Sequence, residues 1–284
     1  MEPEIVVDYA CALGEGPLWH PAEQRLYWTD IEGGALYWYD PSSGKSEKFY
    51  EGDLVGGFTF QADGGFLLFG RKGSVREWKD GKTTTLIEGL SGEEEMRFND
   101  VIADPAGRVF CGTIGRKPGR LYRLDTNGMA TVVLEGVGCS NGLGFTPDGR
   151  GMYYTDTVKR DIYLFDYDEA TGEITNQRVF LHWEGEGGPD GMTVDSEGGV
   201  WSAFWGGSCV VRFDSTGHET HRISFPAKKM TSLVFGGPDF SDMYITSAGG
   251  TNRPGDGTAA GALFRIAGAL GFTGRAEFMS RVRP

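Results

Sequence analysis

The sequence is poor in cysteine, histidine and basic residues, and it has no long apolar run. Its four cysteines, Cys11, Cys111, Cys139 and Cys209, are scattered through 284 residues with no C-x-x-C pair. A disulfide framework and a cysteine zinc cluster are both unexpected, and reduced thiols in an intracellular compartment fit best. The 27 Lys and Arg face 40 Asp and Glu, a formal net charge of −13. Nucleic acid and anionic membrane surfaces need a basic face, so neither is an expected partner. No apolar stretch approaches the roughly 18 residues of a membrane span. Met1-Glu2-Pro3-Glu4 does not begin the basic-then-apolar pattern of a signal peptide, so the expected location is cytoplasmic. The chain contains no G-x-S-x-G elbow, P-loop or H-E-x-x-H. Neither does it contain a helix-length stretch of 3.6-residue period.

What is abundant is glycine, with 46 residues, and aromatic side chains, at 13% of the chain. Glycine at about twice its ordinary frequency marks a chain dense in turns. The turns recur with a period. Short β-like runs begin at Glu15, Gly56, Asn99, Asn141, Asp190 and Thr231, separated by 41, 43, 42, 49 and 41 positions. Each is followed by a turn, such as Asp104-Pro-Ala-Gly107 or Thr146-Pro-Asp-Gly149, and then by an aromatic or β-branched strand such as Arg25-Leu-Tyr-Trp-Thr29 or Gly151-Met-Tyr-Tyr-Thr155. A third, alternating strand follows, and a fourth closes most units. Four short antiparallel strands per repeat of about 40 residues is the pattern of a propeller blade. The expected fold is all-β, a six-bladed β-propeller with four-stranded antiparallel blades around a central channel, formed by residues 1–284 as a single domain. Either Ile5–Tyr9 or Ala276–Met279 should supply an outer strand that closes the ring. The long irregular stretch 248–258 reads as a surface loop at one mouth of the channel.

The first strand of each blade lines the axis, so Glu15, Gly56, Asn99, Asn141, Asp190 and Thr231 should converge on one level of the channel. Two carboxylates and two carboxamides then face one another. Each alone is an ordinary turn or strand-start residue bonded to its own backbone. Together they form an oxygen donor set for a divalent cation: Ca2+, Mg2+ or Mn2+, with Zn2+ and Fe2+ as borderline alternatives. Arg97 lies two residues before Asn99 on the same face of an extended strand. It can hold substrate oxygens or pair with Glu93, Glu94 or Glu95. The four histidines read as surface groups. Trp201 reads as core and Trp205 as a pocket wall, while Asp148 and Asp195 read as turn residues.

The ordered set Leu13-Gly-Glu-Gly-Pro-Leu-Trp19, Arg97-Phe-Asn-Asp100, Ser140-Asn-Gly-Leu143, Tyr154-Thr-Asp156 and Pro189-Asp-Gly-Met192 resembles the gluconolactonase/regucalcin/luciferin-regenerating-enzyme family of six-bladed propellers. Trp201-Ser-Ala-Phe-Trp-Gly-Gly207 is most similar to bacterial sugar lactonases. The resemblance implies one divalent metal ion held by Glu15, Asn141 and Asp190. It also implies that Arg97 and Asn99 bind substrate, with Asn99 contacting it or completing the metal shell through water. Animal regucalcins carry an acidic substrate-contacting segment where this chain has Ile114-Gly-Arg-Lys-Pro118.

The chemistry so implied is hydrolysis of a sugar (aldono) lactone such as gluconolactone or xylonolactone, a carboxylic ester hydrolase reaction. The metal polarises the carbonyl, and Asp190 assists the attacking water. The expected partner is this small molecule, and the expected assembly a monomer or weak homo-oligomer. The competing expectation is a noncatalytic binding propeller or a calcium-binding regulatory protein. Tyr27-Trp28-Thr29-Asp30 is the signature word of receptor-type propellers, but only Tyr154-Thr-Asp156 approximates it again.

Overall fold

The computed structural model describes residues 2–250 and 252–284. Among them the strands form six four-stranded antiparallel sheets, as the repeat predicts. Inner strands are Gly14–His20, Gly57–Phe60, Met96–Ala103, Ser140–Phe145, Gly188–Val194 and Met230–Gly236. We number the blades 1 to 6 in that order. No described helix is long and apolar enough to cross a membrane.

Aromatic side chains hold neighbouring blades together. Trp19 of blade 1 stacks on Tyr244 of blade 6 with ring centroids 5.7 Å apart, and Trp201 of blade 5 meets the edge of Phe235 of blade 6 at 6.3 Å. Both tryptophans are buried, as expected for Trp201. Turns between inner and second strands follow the predicted chemistry. In blade 5, Asp195 accepts hydrogen bonds from Glu197 N and Gly199 N at 3.0 and 2.8 Å. Gly198 takes φ 87°, a left-handed conformation that glycine adopts without strain. Asp195 also receives Trp201 Nε1 at 2.9 Å and Arg212 Nε at 2.7 Å, so this carboxylate is structural.

The ring is closed by the N-terminus. Glu4–Val7 pairs with Leu263–Ile266 as the outer strand of blade 6. Of the two candidate segments, Ala276–Met279 does not form that strand. The C-terminal segment instead crosses the far face of the propeller, where the inner-to-second turns lie. It is tied to one turn of blade 5 and two of blade 3: Ser196 N to Thr273 O, Arg281 N to Gly107 O, and Arg283 N to Thr126 O. Phe278 packs on Phe145 at 6.1 Å. Gln61 is the central anchor. Its Nε2 donates to Val282 O at 2.9 Å, and its Oε1 accepts from Ser280 Oγ at 2.7 Å. The predicted loop at 248–258 contains a helical turn, Arg253–Asp256, and Thr251 lies outside the described residues.

Five of the six inner strands share an irregularity. Their register with the second strand slips at Glu15/Leu18, Phe98/Val101, Asn141/Leu143, Pro189/Met192 and Met230/Leu233. Blade 2 pairs without a break. A bulge places two residues opposite one and re-aims their side chains. It occurs at the polar position of the repeat.

Replacing Gln61 with Ala should leave Ser280 and Val282 without their buried partner. We expect a loss of about 1–3 kcal/mol of unfolding free energy, read as a lower denaturant midpoint at unchanged slope. An unaltered midpoint would mean that the C-terminal segment does not brace the ring.

Candidate active site

The bulged positions gather at the near mouth of the channel. A cavity of about 250 Å³ is lined by Glu15, Arg97, Asn99, Asn141 and Asp190, with walls from Leu13, Ile114, Cys139, Thr157 and Trp205. All five sequence-predicted site residues therefore share one chamber. Glu15, Asn99, Asn141 and Asp190 are buried. Trp205 takes its expected place in the wall, with Lys229 Nζ 5.2 Å from its ring centroid.

The two other repeat positions do different work. At Gly56 a Cβ would lie 1.9 Å from Phe98 O, so the adjacent inner strand occupies the space where a sixth side chain would project. Thr231 is buried and donates from Oγ1 to Gly14 O at 2.6 Å, joining blade 6 to blade 1.

The carboxamides are fixed in a relay. Arg97 Nη1 donates to Asn99 Oδ1 at 2.5 Å and to Phe98 O at 2.9 Å. Asn99 Nδ2 donates to Asn141 Oδ1 at 2.5 Å and to Ser140 O at 2.8 Å. Asn141 Nδ2 donates to Thr157 Oγ1 at 2.7 Å, which donates to Pro189 O at 2.7 Å. The chain of donors links the inner strands of blades 3, 4 and 5 and orients both amides. Arg97 does not pair with the preceding acids: Glu93 is taken by Arg120 and by the Tyr122 hydroxyl, at 3.2 and 2.8 Å.

Two aspartates hold the chain just ahead of the site. Asp30 accepts from Ala12 N and Leu13 N at 3.0 and 2.9 Å. In the same way Asp156 accepts from Gly138 N and Cys139 N at 2.9 and 3.0 Å. Leu13 stands two residues before Glu15, and Cys139 two before Asn141. The words Tyr27-Trp-Thr-Asp30 and Tyr154-Thr-Asp156 thus end in side chains that brace the site, and their aromatic residues are buried core.

Asp100 is the residue that sequence reasoning passed over. It occupies the same bulge as Asn99 but lines a second chamber farther down the axis, about 50 Å³, together with Met192, Ser232 and Glu277. Its signal was present in the run Arg97-Phe-Asn-Asp100, as a carboxylate beside a site residue. Strict alternation alone would have turned it away from the axis.

Three acids are therefore buried around the axis with one guanidinium. Burial first, then the charges of Asp100 and Asp190, pushes the Glu15 carboxyl well above its ordinary range. Burial and Asp100 do the same to Asp190. Burial pushes Asp100 up to about 7, against the pull of Arg97. Burial also lowers the pKa of Arg97. Such a set is costly to ionise unless a cation compensates it. Glu15, Asp190 and the Asn141 carbonyl supply hard oxygen donors suited to a divalent ion. Among the described residues no three His, Cys, Asp or Glu side chains are grouped to ligate one ion, so an ion held by Glu15 and Asp190 would need neutral oxygen donors such as the Asn141 carbonyl beside them.

Residues 13–249 match the family described as the SMP-30/Gluconolactonase/LRE-like region. The chain is 49% identical to Pentonolactonase XacC of Haloferax volcanii, over 98% of each chain. Among solved structures it superposes on a luciferin-regenerating enzyme with TM-score 0.91 at 27% identity, covering 99% of both chains. It superposes on a regucalcin of Agrobacterium tumefaciens, described as a calcium-binding protein, with TM-score 0.89 at 26% identity, covering 98% of this chain and 97% of that one.

The raised acids set a pH dependence for metal-free protein. A carboxyl that holds its proton more tightly when folded contributes stability that is complete below about pH 4, the unfolded aspartate range. That stability is lost as pH rises through the folded value, about 7 for Asp100. In chelator-treated protein, Asp100→Asn should raise the Tm at pH 8 by several degrees and change it little at pH 4. Equal shifts at both pH values would mean that Asp100 is not strained by its charge.

Proposed function

Because the chain belongs to the SMP-30/gluconolactonase/LRE-like family, we propose that it hydrolyses the ester bond of a sugar lactone to give the open aldonic acid. The observation that carries this reading is the single chamber in which Glu15, Asn141 and Asp190 meet Arg97 and Asn99. A divalent ion held by Glu15, Asn141 and Asp190, with Ca2+, Mg2+, Mn2+, Zn2+ and Fe2+ as candidates, would supply Lewis-acid polarisation of the lactone carbonyl. The calcium-binding description of the Agrobacterium regucalcin supports a divalent ion without selecting one.

The protein's own groups do the rest. Asp190 takes a proton from the attacking water, whose oxygen bonds to the carbonyl carbon. The ring C–O bond then breaks, and the departing oxygen recovers a proton, so a ring ester becomes a hydroxy acid with one water consumed. Arg97 and Asn99, already locked to each other at 2.5 Å, orient the sugar hydroxyls. Leu13, Ile114 and Trp205 wall the chamber and limit its water. The pentonolactonase relative supports a five-carbon lactone such as xylonolactone, and gluconolactone is the six-carbon alternative.

Proton release from a panel of aldonolactones, with and without added metals, tests the reading. Asp190→Asn, assayed with bound metal verified, should lose about 10²–10⁴-fold in kcat, the usual contribution of a general base. Full activity in that variant would remove Asp190 from the base role. Chelation should abolish turnover, with recovery on readdition of a divalent ion. Undiminished turnover after chelation would exclude the Lewis-acid role.

A further inference from the structure

Beside the catalytic chamber lies a larger cleft, about 650 Å³, that shares Arg97 and Ile114 with it and adds Arg71, Lys72 and Arg116. Its acidic lining is Glu94 and Glu95, so four cations face two carboxylates in a chain whose net charge is −13. The cations are poorly matched internally. Among the described residues Arg71, Lys72 and Arg97 form no ion pair, and Arg116 reaches Glu95 only at 3.9 Å, with both side chains largely exposed. Glu94 is occupied by Gly92 N at 3.0 Å.

The backbone enforces this crowding. Arg71 and Arg97 are direct partners in an antiparallel bridge, and Arg97 in turn pairs with Ile114. Lys72 N donates to Met96 O at 2.8 Å, and Phe98 N to Gly70 O at 3.0 Å. Residues directly opposite in such pairs project to the same face, and like charges there repel. Arg71, Arg97 and Ile114 form a row running from the cleft into the catalytic chamber. An anion in the cleft would gain charge-assisted hydrogen bonds from these side chains.

We propose that this cleft is a subsite for an anionic group, a phosphate, sulfonate or carboxylate, at the end of the lactone remote from its carbonyl. The substrate class is then an acidic sugar lactone. The sugar lies over Arg97 and Ile114, and its anionic end reaches Arg71, Lys72 and Arg116. The proposal rests on the lactonase reading for the identity of the sugar, but the subsite itself is separable from catalysis.

Calorimetry on the metal-loaded protein tests it with the open-chain acids, which need no turnover. Gluconate, 6-phosphogluconate, 6-deoxy-6-sulfogluconate and glucarate differ at the end remote from the carboxylate that hydrolysis creates. At least one of the three acids that carry a second anionic group should bind about tenfold or more tightly than gluconate, and its identity names the anion. In Lys72→Ala/Arg116→Ala protein that advantage should fall at least tenfold, and in wild-type protein it should shrink as salt is raised. A parallel comparison of kcat/KM for glucono-δ-lactone and 6-phosphoglucono-δ-lactone should show the same ratio collapsing in the variant if phosphate is the anion named. Equal binding of all four acids, or a preference untouched by the double substitution, would overturn the subsite. A binding preference that persists in a protein inactive on every lactone would sustain the subsite and overturn the lactonase reading instead.

Discussion

Acidic groups concentrated on a buried axis are the constraint around which this molecule is built. Glu15, Asp100 and Asp190 are buried there with the Arg97 guanidinium as their near counter-charge. In water these acids would be indifferent to one another. In the channel each raises the others' cost of ionisation, and a group of this kind is tolerable only if protonated or neutralised. Much of the surrounding architecture keeps the arrangement from relaxing. The amide relay runs from Arg97 through Asn99 and Asn141 to Thr157, and Asp30 and Asp156 clamp the backbone ahead of Glu15 and Asn141.

The device that delivers the side chains to the axis is the bulge repeated in five inner strands. A regular strand sends alternate residues to its two faces. At the bulge of blade 3 the adjacent Asn99 and Asp100 both reach the channel, one into each chamber. Blade 2 lacks the bulge and carries Gly56, whose missing side chain leaves room for the backbone at Phe98. The ring is therefore sixfold in its backbone and strongly unequal in its chemistry.

How far this could be read from sequence follows from the same distinction. Periodic features were legible: the 41- to 49-residue spacing gave six blades, and the shared phase of Glu15, Asn99, Asn141 and Asp190 gave a common chamber. Features that depend on a single departure from the repeat were not. Asp100 lies out of phase, and only the bulge turns it inward. The far-face path of the C-terminal segment has no repeat to announce it, because its anchors, Gln61, Gly107 and Thr126, belong to three separate turns. The aspartates that end Tyr27-Trp-Thr-Asp30 and Tyr154-Thr-Asp156 were visible as a word but not as braces, since their partners lie some eighteen residues back along the chain. The cationic cleft was half visible in Arg116. It required Arg71, brought alongside Arg97 by a single bridge between blades.

Closure of blade 6 by Glu4–Val7 carries a cost in time. This strand leaves the ribosome about 260 residues ahead of its partner, Leu263–Ile266. At ordinary synthesis rates the two are separated by on the order of ten to fifty seconds. Throughout that interval the strand has an unsatisfied hydrogen-bonding edge. Glu4 at its start and Asp8 just beyond its end discourage pairing with a stranger. The ring can therefore assemble as five blades and a fragment, and it becomes a closed circle only when Leu263–Ile266 has been made and has met Glu4–Val7.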